Sequence, residues 1–333
     1  MKKVLFILLS LTFILSAPVF AADPELVVYS ARKEHLVKEV FETYEKETGV
    51  KIKYITGKAA VLLQKILSEG SSTPADILLT VDAGNLWHAA QKGVLAPVES
   101  QILANNIPSH YRDPENRWFG LSIRARTLVY NTDRVTPDEL NSYADLADKT
   151  WKNRLLLRTS KKVYNQSLVA MLMAESGKDQ TLDTIKGWVA NLAAPPFSSD
   201  TKVLEAIAAG QGDVGVVNTY YYGRLMKKNP DLPLGIFWAD QKTGGVHVNV
   251  SGAGIVTHSK NKARAAAFLE WLTTPDVQKI FADANMEYPV NKGVVPHAMV
   301  KGWGDFKEST LNLAQAGRLQ ADAIRLMDMA GYK

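Results

Sequence analysis

The chain has 333 residues, 46% of them hydrophobic, and carries 39 Lys and Arg against 34 Asp and Glu, a formal net charge of +5. It contains no cysteine, which excludes disulfides, thiolate metal sites, cysteine nucleophiles and a lipid-bearing N-terminal cysteine together; the fold must rest on its core, and the length suits roughly two domains. The charge falls to +3 without Lys2 and Lys3, and no basic run is interleaved with aromatics, so nothing favours nucleic acid as a partner.

The first residues, MKKVLFILLSLTFILSAPVFAADP, place two lysines before an apolar run from Val4 to Leu15. Val19 and Ala21 suit the −3 and −1 positions of a signal-peptidase site, so a signal peptide is expected over 1–21. The apolar run is short for a bilayer, which needs ~20 residues.

ELVVYSA then reads as a strand, and HLVKEVFETYEKETG as an amphipathic helix with Leu36, Val37, Val40, Phe41 and Tyr44 at helical spacing and Gly49 as its stop. KIKYITG is a strand, AAVLLQKILSEG a helix, ADILLTVD a buried strand and NLWHAAQKGVL a helix. This β-α-β-α-β order predicts an α/β layer with a mostly parallel sheet. FGLSIRARTLVYN reads as a long strand, Pro137 and Asp138 as a helix start, RLLLRTS as a strand and SLVAMLMAES as a helix. GDVGVVN is a strand running into NTYYYGRL, GVHVNVSGAGIVTH is a second long strand, and the tail from Lys260 is helical. Gly252 and Gly254 inside that strand signal close packing or hinge geometry. The two long strands are expected to cross between two discontinuous lobes, 22–123 plus 252–300 and 124–251 plus 301–333, with a ligand in the cleft between them.

Tyr220, Tyr221 and Tyr222 stand in a row after an apolar strand, where Asn218 or Thr219 can cap a helix. Neighbouring helical side chains diverge by ~100°, so the three cannot share one site. Tyr222 lies three and four residues before Leu225 and Met226 and shares their apolar face. Tyr220 and Tyr221 are left to project into a cleft; the alternative is that all three pack in the core. Tyr29 and Tyr164 also occupy strand-to-helix turns. Arg32, Arg124, Arg126 and Arg224 are candidates for clamping an oxyanion, or for surface ion pairs. Phenolate is a hard oxygen donor that needs a strongly charged cation to drive off its proton. Three phenolates would neutralise Fe(III), and an anion held by arginine and helix N-terminal N–H groups could complete the coordination. No carboxylate cluster with Ca²⁺-loop spacing is present, nor a G-x-S-x-G, a P-loop, an HExxH or a G-x-G-x-x-G after a strand.

The stretches VVYSARKEHL, PADILLTVDAGNLWHAA, WFGLSIRAR, YNQSL, NTYYYGRL, NVSGAG and EYPVNKGV together resemble those of periplasmic ferric-ion-binding proteins, the capture component of ATP-driven iron importers. The resemblance covers the mature chain and implies a type II periplasmic binding protein, two-lobed, with mixed sheets flanked by helices and two hinge strands. It further implies a periplasmic monomer that performs no catalysis and delivers Fe(III) to an inner-membrane ABC permease. Carried over residue by residue, the metal ligands are Tyr164, Tyr220 and Tyr221, with Arg32 and Arg124 holding carbonate or bicarbonate as a synergistic anion. Relatives often place a histidine, or a histidine–tyrosine pair, in the first turn; here Lys33 and Glu34 stand there. That departure resembles the tyrosine-only, carbonate-assisted branch, with Glu34, Tyr29 and Arg224 as site neighbours. Two other readings remain on the residues alone: a binding protein for an organic or oxyanion ligand such as a phosphonate, and a secreted hydrolase.

Overall fold

The structure, a computed structural model, describes residues 24–333; the expected signal peptide, 1–21, lies outside the described residues. The strands are β1 (Glu25–Ser30), β2 (Lys51–Thr56), β3 (Ile77–Val81), β4 (Leu95–Ala96), β5 (Phe119–Asn131), β6 (Leu155–Leu156), β7 (Val214–Asn218), β8 (Leu234–Phe237), β9 (Val248–Val256) and β10 (Tyr288–Pro289). The helices before β6 are α1 (Lys38–Thr48), α2 (Ala59–Glu69), α3 (Ala83–Gln91) and α4 (Gln101–Asn106). Between β6 and β9 come α5 (Val163–Ser176), α6 (Lys178–Ala190), α7 (Asp200–Ala208) and α8 (Thr219–Lys228). The rest are α9 (Lys262–Trp271), α10 (Pro275–Asp283), α11 (Ala298–Lys301), α12 (Ala314–Arg318) and α13 (Gln320–Met329).

The sheet runs β2-β1-β3-β9-β5-β7-β6, with β10 and β8 also paired to β5 and β4 to β9. Strand β1 is parallel to β2 and β3, and β6 to β7, as their helical crossovers require. The remaining pairings, all of them made by β5 or β9, are antiparallel. The sheet is therefore mixed, as the resemblance implies, but its pairings are mostly antiparallel, which corrects the expectation of a mostly parallel sheet. The β-α-β units were correctly ordered, but the two long strands enter the sheet against their neighbours, and local periodicity does not encode direction.

Strand β5 changes partners along its length. Phe119–Ala125 pair with β9, whereas Arg126–Asn131 pair with β7 and β8. All thirteen of its residues are buried, consistent with a strand covered on both faces. The close pairing of β9 depends on Gly252 and Gly254. A Cβ on either would stand 2.3 Å and 2.4 Å from the carbonyl oxygens of Phe119 and Arg117. RLLLRTS forms only the two-residue β6 before leading into the loop that starts α5. Pro137 and Asp138 open a single 3₁₀ turn with a Thr136–Glu139 capping box, not a long helix.

The main core packs Leu26, Val28, Ile77 and Leu79 against α1, α3 and α9, with the Phe268 ring in contact with both Phe41 and Tyr44. A second cluster gathers Leu156, Val203, Ile207, Val217 and Tyr222 around β7. A third joins Tyr220, Met286 and Val300, with Tyr221, Tyr288 and Trp303 against it. This last cluster pins the start of α8 to the segments around β10 and α11. Among the described residues, no helix is long and apolar enough to cross a membrane.

Candidate metal centre

One cleft of about 200 Å³ is lined by Ala31, Arg32, Lys33, Leu36, Val81, Arg124, Tyr164, Tyr220, Tyr221, Arg224, Ser251, Asn285 and Glu287. The three tyrosines reach it from two helix N-termini. Tyr164 is the second residue of α5, and Tyr220 and Tyr221 are the second and third of α8. The rings of Tyr220 and Tyr221 lie 4.5 Å apart at 37°. Tyr222, on the far side of the helix, is buried, donates to the Leu234 carbonyl at 3.2 Å and packs with Leu225 and Met226. The divergence of adjacent helical side chains thus divides the triplet as the spacing predicts.

Tyr164 and Tyr220 are both held protonated. Burial pushes Tyr220 well above the ordinary tyrosine value, and the neighbouring Tyr164 and Tyr221 add to it, while Arg124 opposes. Tyr164 is raised by burial and by Tyr221, and lowered by Arg124 and by a hydrogen bond from Tyr220.

Arginines surround these oxygens. Arg32 is 2% exposed and its Nη1 pairs with Glu287 at 3.0 Å and donates to Ser122 at 3.1 Å, yet its Nε and Nη2 have no protein partner among the described residues. Arg124 lies 3.5 Å from Asp82 and stands over the Tyr164 ring at 5.7 Å, with Nη1 likewise unpartnered. Arg224 lies over Tyr220 and Tyr221 at 5.0 and 4.8 Å and donates to Asn285 at 3.2 Å. Arg158, not singled out in the sequence, lies over Tyr164 and Tyr221 at 5.4 and 5.8 Å. It shares Asp200 with Arg126, at 3.4 and 3.1 Å. Its only sequence signal was a charged residue ending an apolar run.

Beneath the cleft the polar groups are almost fully buried. Asp82, in the left-handed region at φ 77°, caps α3 through the Gly84 N–H at 3.0 Å and accepts from Ser167 at 2.6 Å and Asn249 at 3.1 Å. Burial raises its carboxyl, with Arg124 and Ser167 pulling against that. His247 is kept neutral, lowered to about 3 by burial and then by Arg126 and Arg124. Asn218 occupies the N-cap position of α8 without a side-chain capping bond, and Thr219 is the first helical residue, so neither caps as expected.

Tyr29 and Glu34 do not join the site. Tyr29 is buried on β1 and its hydroxyl donates to Glu69 at 2.9 Å. Glu34 is exposed in a 3₁₀ turn, accepts from Tyr54 at 3.1 Å and is not among the cleft residues. Lys33, the residue before this turn, and Leu36 within it line the cleft, whereas Glu34 does not. Glu287 and Ser251 line it although neither was a candidate; Ser251 arrives on β9 and Glu287 from the turn before β10, without a local signal. Among the described residues, no group of three or more His, Cys, Asp or Glu could hold a metal ion; the hard oxygen donors lining this cleft are the three phenols, the Ser251 hydroxyl and the Glu287 carboxylate, which is paired with Arg32.

Residues 39–308 match the family model described as bacterial extracellular solute-binding protein. The iron uptake protein A1 of Synechocystis is 41% identical over 315 residues, covering 93% of this chain and 88% of that protein. A Trichodesmium protein solved in complex with iron and citrate superposes with a TM-score of 0.90 at 42% identity, covering 93% of this chain and 100% of that one. The apo form of a second Synechocystis protein, FutA2, superposes at 0.89 with 38% identity over 93% of this chain and 100% of that one.

Proposed function

We propose, for a chain that belongs to the bacterial extracellular solute-binding proteins and among them to the periplasmic ferric-binding family, that it captures Fe(III) in this cleft in the periplasm and hands it to an inner-membrane ABC permease. It is a binding protein, not an enzyme. Tyr164, Tyr220 and Tyr221 supply three phenolate oxygens, and Arg32 and Arg124 hold carbonate or bicarbonate beside the ion.

The carrying observation is the convergence of three phenols and buried arginines on one cleft. Charge supports it. Five guanidiniums, of Arg32, Arg124, Arg126, Arg158 and Arg224, face three carboxylates, of Glu287, Asp82 and Asp200, because Asp200 is shared and Arg224 has only the neutral Asn285. Two guanidinium charges are left over, beside the exposed Lys33 ammonium at the edge of the cleft. Fe(III) with three phenolates is neutral, and a dianion beside it offsets that excess. A buried excess charge is costly unless paired, so the metal and the anion are favoured together. The partnerless Nε and Nη2 of Arg32 supply donors for the anion.

In this reading β5 and β9 are the hinge strands of a two-lobed molecule. Lobes of 22–123 plus 252–300 and 124–251 plus 301–333 close over the ion, and the protein acts as a monomer after loss of residues 1–21. The change of partner between Ala125 and Arg126 supports a hinge there. The test is metal analysis. The mature protein is stripped with chelator, loaded with ferric salt and either bicarbonate or citrate, and desalted. One iron per chain is expected, and no retained iron with either anion would overturn the proposal. Retention with citrate alone would reassign the anion.

A further inference from the structure

Asn218 sits where a helix-capping residue belongs, with extended backbone at φ −76° and ψ 137°, but its side chain turns inward and is 2% exposed. Its Oδ1 accepts from Arg126 Nη1 at 3.0 Å, and its Nδ2 donates to the Tyr220 hydroxyl oxygen at 3.1 Å. We infer that Asn218, its amide oriented by Arg126, is a positioning residue that holds a hydrogen-bond donor on the Tyr220 oxygen. This rests on the iron reading above.

The orientation follows from donor and acceptor inventory. A guanidinium only donates, so the amide oxygen must face Arg126 and the NH₂ must face Tyr220. The opposite amide assignment, the usual ambiguity of an asparagine, would set donor against donor. Arg126 cannot swing away. Asp200 holds the same Nη1 at 3.1 Å, and Asn165 at 2.9 and 2.6 Å and the Val216 carbonyl at 3.1 Å hold Nε and Nη2. The same inventory aligns Asn165, beside Tyr164, whose Nδ2 faces the Arg158 carbonyl at 2.7 Å. One buried guanidinium thus sets the frame of both helix starts that carry the phenols.

The consequence is specific to charge. A donor fixed on the Tyr220 oxygen stabilises negative charge there and stays in place when a cation replaces the proton. It leaves the oxygen's remaining lone pair for the cleft. Near-isosteric Asn218→Asp puts an acceptor where the donor was, whereas Asn218→Leu removes the bond without adding repulsion.

The experiment loads stripped wild type, Asn218→Leu and Asn218→Asp with ferric salt and bicarbonate, after circular dichroism has shown each to be folded. The tyrosinate-to-iron charge-transfer band and the rate of iron transfer to a competing chelator are then recorded. The expected result is a band at longer wavelength and about tenfold faster transfer in Asn218→Leu, with a larger loss in Asn218→Asp. A merely structural role would leave the closer isostere the milder of the two, so that order, or unchanged band and rate in both, overturns the inference. Should Asn218→Asp not fold, the band of Asn218→Leu decides alone. A wild type without the band overturns the iron reading itself, which separates the two failures.

Discussion

At the scale of single residues, the triplet of tyrosines separates by helical geometry alone. Tyr222 makes its one hydrogen bond to the Leu234 carbonyl and lines no part of the cleft. Tyr222→Phe should therefore bind iron as the wild type does and lose about 0.5–1.5 kcal/mol of stability, measured by denaturant unfolding. Tyr164 and Tyr220 are both raised in the metal-free protein, so at neutral pH each carries a proton that the metal must displace. Affinity for ferric ion should then rise with pH and fall on acidification, by about a hundredfold per pH unit from these two protons alone, with the third phenolate adding to the slope. Chelator competition at several pH values checks this; a pH-independent affinity would contradict phenolate ligation. Tyr220, Tyr221 and Tyr222 were legible because the argument needs only the ~100° step of a helix. Arg158 and Glu287 were not, since each earns its place by tertiary neighbours far away in sequence. Tyr29 and Glu34 misled for a related reason: their turn was legible, but not which side of it faces the cleft.

At the scale of elements, α8 carries two of the proposed ligands and is positioned by a close approach. A Cβ on Gly223 would stand 2.8 Å from the Trp303 ring and 3.3 Å from Met286 Cβ. Alanine in a helix interior normally gains up to about 1 kcal/mol over glycine, but overpacking here costs about 1–3 kcal/mol. Gly223→Ala should be destabilised in thermal unfolding and should retain iron less tightly; a stabilised variant would show that the contact yields freely. The element order was readable from periodicity, and β5 and β9 stood out by length. Strand direction was not readable, because Gly252 and Gly254 announce close approach without saying from which end β9 arrives. Nor was the brevity of β6, whose apolar run LLL is as consistent with a longer strand as with the two paired residues observed.

At the scale of the whole molecule, charge and topology converge on the same cleft. Two surplus guanidinium charges meet three phenols at the place where β5 passes from β9 to β7 and β8. The chain's net charge of +5 said nothing of this, because the relevant excess is local and buried. If β5 and β9 serve as the proposed hinge, loading with ferric salt and bicarbonate should reduce the radius of gyration in solution scattering; an unchanged value would argue against closure. The most direct measurement of the central claim is a ferric titration of the stripped protein in bicarbonate, followed by visible absorption. A tyrosinate-to-iron charge-transfer band should saturate at one iron per chain, persist in Tyr222→Phe and be lost or strongly weakened in Tyr220→Phe. A colourless wild type, or a band untouched in Tyr220→Phe, would contradict it.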